Sequence, residues 1–363
     1  MHSPARNADL PVSRFPTTRY QGSKRKLLGA LADALPPCDN GTAIDLYSGS
    51  GSVTLLLRHL GFRVISNDYL KFANNTARVL LEATPDRLRA VDWSSKLQFL
   101  LNDAPISAKP LVQHGFRGVF FTEDENLTID RFCQNVGNEA SFPRAVLTYA
   151  VGQALLKKRP YNLFHRANLY MRLRKVGRSF GNATTWAKPI AEHARTAIDE
   201  LREAPFPSSS KDHEIINVNV AHLDSFPRRK ADLVYVDPPY IPADGKAIDY
   251  ADFYHFLEGL IDYPLFAGGE AERAHRPIFR ATTRWASRDL AVNELRDVAN
   301  AWPEAAIVMS YRDDGIPSVA ELCECLSAQN RVVNLQYLGQ YKYALSHSVT
   351  SRETLIIAGP RSS

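Results

Sequence analysis

Four consecutive residues, Asp237, Pro238, Pro239 and Tyr240, combine groups that can hold an amino group attached to a flat ring. They follow the apolar run 231–236, which is typical of a buried strand. The two prolines fix the backbone and present carbonyl oxygens without N–H groups, so the turn is a rigid hydrogen-bond acceptor. Asp237 adds a carboxylate and Tyr240 an aromatic face. Such acceptors bind the hydrogens of an exocyclic amine and direct its lone pair outward, while the ring stacks on the tyrosine.

A glycine-rich turn lies much earlier in the chain, between a short apolar run and a stretch with helical spacing. It begins at Asp45 and contains Gly49 and Gly51, which allow a sharp bend and the close approach of a flat ligand. The turn lacks the Lys-Ser/Thr ending of a P-loop, and Thr54 stands where a dinucleotide motif has its third glycine. Neither ATP nor NAD is therefore favoured. Asp68 ends the next strand-like run, where nucleotide-binding sheets place an acid that binds ribose hydroxyls.

The third chemical feature is a basic segment, residues 157–178. It contains eight Lys or Arg residues and one His but no acid, and Tyr161, Phe164 and Tyr170 are interleaved among them. Cations concentrated in this way form a footprint for phosphates, whereas a solvated basic helix is the alternative interpretation. The candidate nucleic-acid contacts are Lys157, Lys158, Arg159, Arg166, Arg172 and Arg174.

These features need a sheet that brings the ends of several strands together. Strand-like runs occur at residues 42–46, 61–66, 214–220, 232–236, 277–280, 306–310, 332–336 and 354–358. Helical stretches separate the early runs, which predicts an α/β fold with a mostly parallel sheet. The last two runs predict an antiparallel hairpin at the sheet edge. Between residues 86 and 210 the alternation of strand-like and helical runs stops, which indicates a helical insertion.

Composition excludes several classes of protein. The chain has 363 residues, of which 45% are hydrophobic, so it can bury a substantial core. Its four cysteines form no C-x-x-C pair, which favours neither a zinc site nor a disulfide framework. No secretory signal and no long apolar span are found, and we expect a cytoplasmic chain without a membrane anchor. The formal charge of +5 is modest, so the clustering of the cations matters more than their number.

In their order along the chain, these motifs resemble the Dam-like class of S-adenosylmethionine-dependent, site-specific DNA adenine N6-methyltransferases. The resemblance is carried by Tyr20-Gln-Gly-Ser-Lys24, Asp45-Leu-Tyr-Ser-Gly-Ser-Gly51, the insertion and Asp237-Pro-Pro-Tyr240. Residues 254–258, 310–315 and 341–343 extend it over most of the chain. Some RNA methyltransferases share Asp-Pro-Pro-Tyr, but the ordered set is far more specific than that motif alone.

The resemblance implies a fold and a cofactor. The fold would be a Rossmann-like methyltransferase sheet with an antiparallel C-terminal edge strand and a helical, basic insertion domain. Residues 1–85 and 211–363 would form the catalytic domain that binds S-adenosyl-L-methionine, and residues 86–210 would form the target-recognition insertion. No metal is implied.

Roles for individual residues follow from the same resemblance. The resemblance places Tyr20, Gly22 and Lys24 near the amino-acid end of the cofactor, and Asp45, Gly49 and Gly51 around its methionine moiety. It places Asp68 at the ribose and Asp224 at the adenine amine. The turn reads Leu46-Tyr47-Ser48 where many relatives have a Pro-Phe-like pair, and this departure puts the packing around the cofactor in question.

The resemblance also implies the chemistry of the catalytic residues Asp237, Pro238, Pro239 and Tyr240. Hydrogen bonds from adenine N6 to the Asp237 carboxylate and the Pro238 carbonyl would make the nitrogen a better nucleophile. The adenine would first leave the duplex, at a cost of a few kcal/mol that stacking on Tyr240 offsets.

The expected partners are double-stranded DNA and a cognate restriction endonuclease, with the enzyme a monomer or weak dimer that associates with the nucleoid in a prokaryote. Three alternatives remain at this stage. The pocket would also serve an RNA adenine methyltransferase, and the fold would also serve a DNA-binding relative without activity. Cytosine N4 methylation is the third, although those enzymes tend to have Ser-Pro-Pro-Tyr.

Overall fold

The computed structural model describes residues 10–35, 40–164, 182–208, 211–241, 249–340 and 352–361. Its centre is a seven-stranded sheet with the order β3-β2-β1-β4-β5-β7-β6. The strands are β1 (Thr42–Asp45), β2 (Arg63–Asn67), β3 (Glu214–Ile216), β4 (Leu233–Val236), β5 (Ala306–Arg312), β6 (Arg331–Gln340) and β7 (Arg352–Pro360). Strand β7 runs antiparallel to β5 and β6, and the other neighbours are parallel. The predicted α/β fold with an antiparallel C-terminal edge is confirmed.

Successive residues of the central strands belong to two different hydrophobic clusters. Ala43, Leu233 and Tyr235 pack into one cluster, whereas Ile44 and Val234 pack into the other. Because neighbouring side chains of a strand point to opposite faces, the sheet is buried on both sides, as parallel sheets usually are. This explains why its strands are continuously apolar in sequence.

Helices supply the cover for both faces. They are α1 (Leu28–Ala34), α2 (Ser52–His59), α3 (Lys71–Glu82), α4 (Pro85–Arg89), α5 (Trp93–Gln98), α6 (Leu111–Gly115), α7 (Glu123–Asn135), α8 (Ser141–Lys157), α9 (Asn182–Ala187), α10 (Ile190–Glu203), α11 (Tyr250–Ile261), α12 (Arg288–Ala301) and α13 (Val319–Ser327). Within the described ranges, no helix combines the length and the apolar character needed to cross a membrane.

The helices between β2 and β3 share a core with the sheet. Helix α8 lies against α3, where a Cβ added at Gly152 would stand 2.3 Å from the Phe72 ring. The Asn75 side chain also donates a hydrogen bond of 3.0 Å to the Ala145 carbonyl. Only glycine permits this close approach, and the result is one continuous hydrophobic cluster. The division into a catalytic domain and an insertion at residues 86–210 stays a prediction.

Two sequence-based strand predictions are wrong, the first entirely and the second in extent. Residues 277–280 form no strand, because this segment packs against α11, with the Ile278 N–H donating to His255 Nδ1 at 3.4 Å. The run 214–220 is a strand only from Glu214 to Ile216. After it, the Asn217 amide donates to the carbonyls of Asp68 and Tyr69, at 2.8 and 3.1 Å, which holds the segment over the end of β2.

Candidate active site

A cleft opens where β1, β2 and β4 end side by side. Parallel neighbours place their carboxyl ends at the same edge, so the segments that follow these strands meet there. Of the residues proposed from sequence, the cleft is lined by Tyr20, Gly22, Lys24, Asp45, Gly49, Asp68, Asp237, Pro238, Pro239 and Tyr240. Ten of the twelve proposed catalytic and cofactor-binding residues thus lie around one space.

The glycine turn forms the floor of this cleft. Gly49 and Gly51 have φ of 46° and 71°, a left-handed conformation that suits glycine. Gly51 is the residue that caps the N-terminus of α2, and a Cβ there would stand 2.6 Å from Leu80. The Gly49 N–H donates to Asp68 Oδ2 at 2.9 Å, so the acid that ends β2 also fixes the turn after β1.

Asp237 is the carboxylate at the centre of the site. The Lys24 ammonium donates to its Oδ1 at 2.7 Å, and the Tyr240 hydroxyl lies 3.1 Å from the same oxygen. Among the described residues, no hydrogen bond reaches its Oδ2, and the side chain is 18% exposed. Burial raises the pKa of Asp237 to about 6; Lys24 opposes this shift and Glu353 adds to it. One oxygen is therefore held by the protein, and the other is available to a ligand.

Lys24 is buried and lies between two acids. Besides Asp237, its ammonium reaches Glu353 Oε1 at 3.3 Å and the Tyr240 hydroxyl at 2.8 Å. Burial lowers the pKa of Lys24, but the two carboxylates raise it by more, so the side chain keeps its charge. Lys24 thus contacts the Asp237 carboxylate. Sequence analysis placed Lys24 near the amino-acid end of the cofactor and did not predict this contact.

Contacts with buried residues hold the Tyr240 side chain in place. Its hydroxyl also lies 3.0 Å from Glu353 Oε1, and its ring meets Tyr311 edge to face with 5.4 Å between centroids. The residue is only 5% exposed. The ring still lines the cleft, so stacking of a base on Tyr240 stays a prediction.

Tyr20, predicted from sequence to lie near the cofactor, belongs to an aromatic stack with helix α11 that sequence reasoning missed. The ring of Tyr20 stacks on Tyr254 and on Tyr250, with centroids 4.5 and 5.5 Å apart. Tyr254 also accepts a hydrogen bond of 2.6 Å from the Gln21 N–H. Helix α11 therefore positions the N-terminal motif, and the aromatic residues that begin this helix were the available signal.

Two further buried acids, Asp45 and Asp68, line the cleft. Burial raises the pKa of Asp45 to about 7 and that of Asp68 to about 6. Asp45 Oδ2 accepts a hydrogen bond of 2.6 Å from Thr54, whereas its Oδ1 is buried with no hydrogen-bond partner among the described residues. A cationic ligand would compensate this cost.

Comparison with known protein families matches residues 20–263 to the D12 class of N6 adenine-specific DNA methyltransferases. The chain belongs to this family. Among curated proteins, the Type II methyltransferase M2.HphI of Haemophilus parahaemolyticus is 26% identical over 251 residues, 68% of this chain and 71% of that protein. The modification methylase StsI of Streptococcus sanguinis is 22% identical over 361 residues, 92% of this chain. This chain spans half the length of StsI.

The cleft of this methyltransferase fits S-adenosylmethionine, the methyl donor that the family implies. That molecule carries an ammonium and a sulfonium, which suit the unpartnered Asp45 oxygen and the neighbouring carboxylates. A side chain at Gly49 would press on the Tyr20 ring, which lines the cleft, so glycine at this position keeps the cleft wall in place. Among the described residues, no group of three His, Cys, Asp or Glu side chains could hold a metal ion.

The position of Asp224 does not support its expected role at the cofactor's adenine. This residue is exposed and lines a separate groove with Thr42, Asp232 and Ala305, which lie at the opposite ends of the strands. The reason is local: the chain leaves β3 early and turns through a short 3-10 helix, Val220–Ser225, that carries Asp224 away from the cleft.

The Leu46-Tyr47-Ser48 departure has a structural explanation. The Tyr47 hydroxyl donates to the buried Glu294 carboxylate, which also accepts a hydrogen bond of 2.6 Å from the Trp285 indole. This pairing satisfies a polar group that a phenylalanine would not carry. Tyr47 still lines the cleft, so the methyltransferase keeps an aromatic residue at this place.

Two predicted DNA contacts, Lys158 and Arg159, are buried structural residues. Lys158 is 1% exposed, pairs with Glu125 at 2.9 Å and donates to the Trp186 carbonyl. Arg159 is 2% exposed and donates to the carbonyls of Phe120 and Leu163. Their charge suggested phosphates, but inside the protein they contact one acid and several backbone carbonyls. Arg166, Arg172 and Arg174 lie outside the described residues.

Gly49→Ala is expected to weaken S-adenosylmethionine binding at least about tenfold, or about 1.4 kcal/mol. The new Cβ would stand 2.9 Å from the Tyr20 ring, which lines the cleft. Gly61→Ala is the matched control, because Gly61 also has positive φ but has nothing within 4 Å of the added Cβ. Both variants should lose roughly 1–2 kcal/mol of folding stability. If calorimetric titration shows that the two variants bind S-adenosylmethionine with equal affinity, Gly49 does not belong to the cofactor site.

Proposed function

We propose that the protein transfers a methyl group from S-adenosylmethionine to N6 of an adenine that has been turned out of duplex DNA at one recognition sequence. The observation that carries this proposal is the arrangement of Asp237, which lines the cleft: Lys24 binds its Oδ1, while its Oδ2 has no hydrogen-bond partner among the described residues. An amine that donates one hydrogen to Oδ2 and the other to the Pro238 carbonyl would have its lone pair directed at the methyl donor.

The chemistry needs orientation more than a strong base. The methyl donor supplies an activated methyl group, and the protein supplies the position of the nucleophile. Holding two reactants in line can lower a barrier by about 7–11 kcal/mol. Asp237 would orient N6, the glycine turn would hold the donor, and Tyr240 would offer a face to the extruded adenine. The family membership supports adenine over cytosine as the target.

For the adenine of the methyl donor, we propose Tyr69 and Asn217 in place of Asp224. Tyr69 lines both the cleft and a neighbouring groove that contains Asn217. The Asn217 amide nitrogen holds the backbone of residues 68 and 69, which leaves its oxygen as an acceptor for an adenine amine. Asn219, in the same groove, is already committed to the Ala221 N–H and the Thr282 carbonyl.

The proposal is tested by expression in a bacterial strain without adenine methylation, followed by mapping of modified bases at single-base resolution. We expect N6-methyladenine at every copy of one short sequence. Because the two relatives are named as a Type II methyltransferase and a modification methylase, we also propose a cognate endonuclease. DNA from the expressing strain should then resist an endonuclease that reads the same sequence. Unmodified DNA in the presence of folded protein would contradict the proposal.

Lys157 is the described residue of the basic segment that we propose as a phosphate contact. It is half-buried; burial lowers its pKa, and so do the charges of Arg19 and Lys188, whereas Glu200 and Glu192 raise it. Lys157→Ala should lower the salt dependence of DNA binding by about one unit of slope. Arg159→Ala is the contrasting variant and should instead cost roughly 1.5–3 kcal/mol of stability.

Binding titrations between low and moderate salt measure the slope, and urea unfolding measures the stability. An unchanged slope for Lys157→Ala would remove it from the DNA contacts. A reduced slope for a stable Arg159→Ala would show that the buried arginine does reach the DNA.

A further inference from the structure

The ion pairs around Asp237 include one residue that neither the sequence motifs nor the matched family region contains. Glu353 lies on β7, beyond the matched residues 20–263, and its side chain is fully buried. It reaches the site because β7 pairs with β5, next to the strand that carries Asp237. A carboxylate costs much free energy to bury unless it is paired, so its position requires an explanation.

Glu353 contacts the same two groups that hold Asp237. Its Oε1 lies 3.3 Å from the Lys24 ammonium and 3.0 Å from the Tyr240 hydroxyl. Asp237 Oδ1 lies 2.7 and 3.1 Å from these same atoms. Two carboxylates therefore share one ammonium and one hydroxyl, which can donate its single hydrogen to only one of them.

Several other titratable groups of the described residues lie near this cluster. Arg312 stands opposite Glu353 in the register of β5 and β7, and its guanidinium binds Asp314 with two hydrogen bonds of 2.7 Å. Among the described residues, Asp45 on β1, Tyr235 on β4 and Tyr250 on α11 also interact electrostatically with Asp237. None of these three groups carries positive charge. Both carboxylates contact the Lys24 ammonium.

We propose that Glu353 is a positioning residue for methyl transfer: it holds Lys24 and Tyr240 so that Asp237 keeps Oδ1 fixed and Oδ2 toward the amine, and it leaves the cluster able to take up one proton. The inference rests on the proposed function. When the N6 lone pair forms the new N–C bond, the C–S bond breaks and its electron pair stays on sulfur, so the positive charge moves to N6. N6 then releases one proton to Asp237 Oδ2, while Lys24 and Glu353 remain as a balanced pair.

This arrangement resolves a difficulty of the reaction. A methylated N6 cannot keep its extra proton, and a buried carboxylate that was fully neutralised by its own lysine would be a poor acceptor. Because Lys24 is shared, its charge does not satisfy Asp237 alone. Burial and the negative charge of Glu353 both raise the pKa of Asp237, and with Lys24 opposing them it stands at about 6.

The test is Glu353→Gln, with Glu258→Gln as the matched control. Glu258 is also fully buried, but it caps α3 by accepting the N–H groups of Lys71 and Phe72 and does not line the cleft. We expect kcat of Glu353→Gln to fall by up to about 10²-fold, with little change in KM for DNA or methyl donor. The acid limb of kcat/KM, near pH 6 in the parent, should move to lower pH. Glu353→Asp, which keeps the charge, should return the limb toward its original position.

A second measurement does not depend on turnover. Carboxyl-labelled aspartate, with Asp237→Asn for assignment, reports the titration of Asp237 by NMR in the free protein. We expect a lower midpoint in Glu353→Gln and an unchanged one in Glu258→Gln. If the parent transfers methyl groups but both the limb and the midpoint stay in place in Glu353→Gln, the inference is wrong. If the parent transfers none to any DNA, the proposed function fails, and the NMR midpoint still decides whether Glu353 sets the charge of Asp237.

Discussion

Asp237→Asn is expected to lower the rate of methyl transfer by about 10²–10³-fold, the loss typical of removing one preorganised polar contact from a reacting centre. The amide that replaces the carboxylate would point either an N–H group or a weaker acceptor at the adenine amine. It would also leave Lys24 without its nearest acid, 2.7 Å away in the parent. The affinity for S-adenosylmethionine should change little, because Asp45, Asp68 and the glycine turn are untouched.

Asp232→Asn is the control for this change. Asp232 precedes the same strand at its opposite end, where Oδ2 accepts a hydrogen bond of 2.7 Å from the Thr42 N–H. The same chemical substitution is thus made at both ends of β4. Single-turnover transfer to duplex DNA is the measurement. An Asp237→Asn enzyme that retains more than a tenth of the parent rate would exclude Asp237 from orienting the amine.

Lys24→Met has the largest expected effect on folding. It removes the ammonium that Asp237 and Glu353 share, so both buried carboxylates lose this contact, which should cost about 3–5 kcal/mol at pH 8. The pKa of Asp237, already raised to about 6, would rise further without Lys24. A carboxyl group with a raised folded-state pKa stabilises the fold below its unfolded pKa and loses that contribution as pH rises through the folded value. The deficit should therefore be smaller at pH 5 than at pH 8.

Urea unfolding at these two pH values measures the deficit. Lys26→Met is the control, since Lys26 lies two residues away on the same 3-10 turn with its side chain exposed. It should lose less than about 1 kcal/mol at either pH. An equal deficit for Lys24→Met at pH 5 and pH 8 would mean that ordinary packing, rather than charge, accounts for the loss.

The parts of the site that sequence could predict are those that depend on the chain next to them. The turn after β1 needs positive φ at Gly49 and Gly51, and Asp237 follows a strand that is apolar on both faces. Such signals lie within a few residues, and the parallel sheet then brings them to one edge. The strand prediction at 277–280 failed because a short apolar run packs against α11 with the same composition as a strand.

The parts that could not be predicted depend on contacts between distant residues. Glu353 meets Tyr240 across 113 positions of the chain, and no local pattern around it marks a buried acid. Lys158 is one cation in a basic run, yet its partners, Glu125 and the Trp186 carbonyl, lie on other elements. A run of charged residues indicates an exposed surface only when none of them pairs with a buried acid or carbonyl. Tertiary packing decides whether such a pair forms.

The most direct test of the account is the identity of the methylated nucleoside. Purified protein is incubated with labelled S-adenosylmethionine and either duplex DNA or total RNA, and the products are digested to nucleosides and analysed by mass. The account predicts N6-methyldeoxyadenosine from the duplex, lost with Asp237→Asn and kept with Asp232→Asn. Label in N4-methyldeoxycytidine, or in RNA adenosine with none in the duplex, would contradict it.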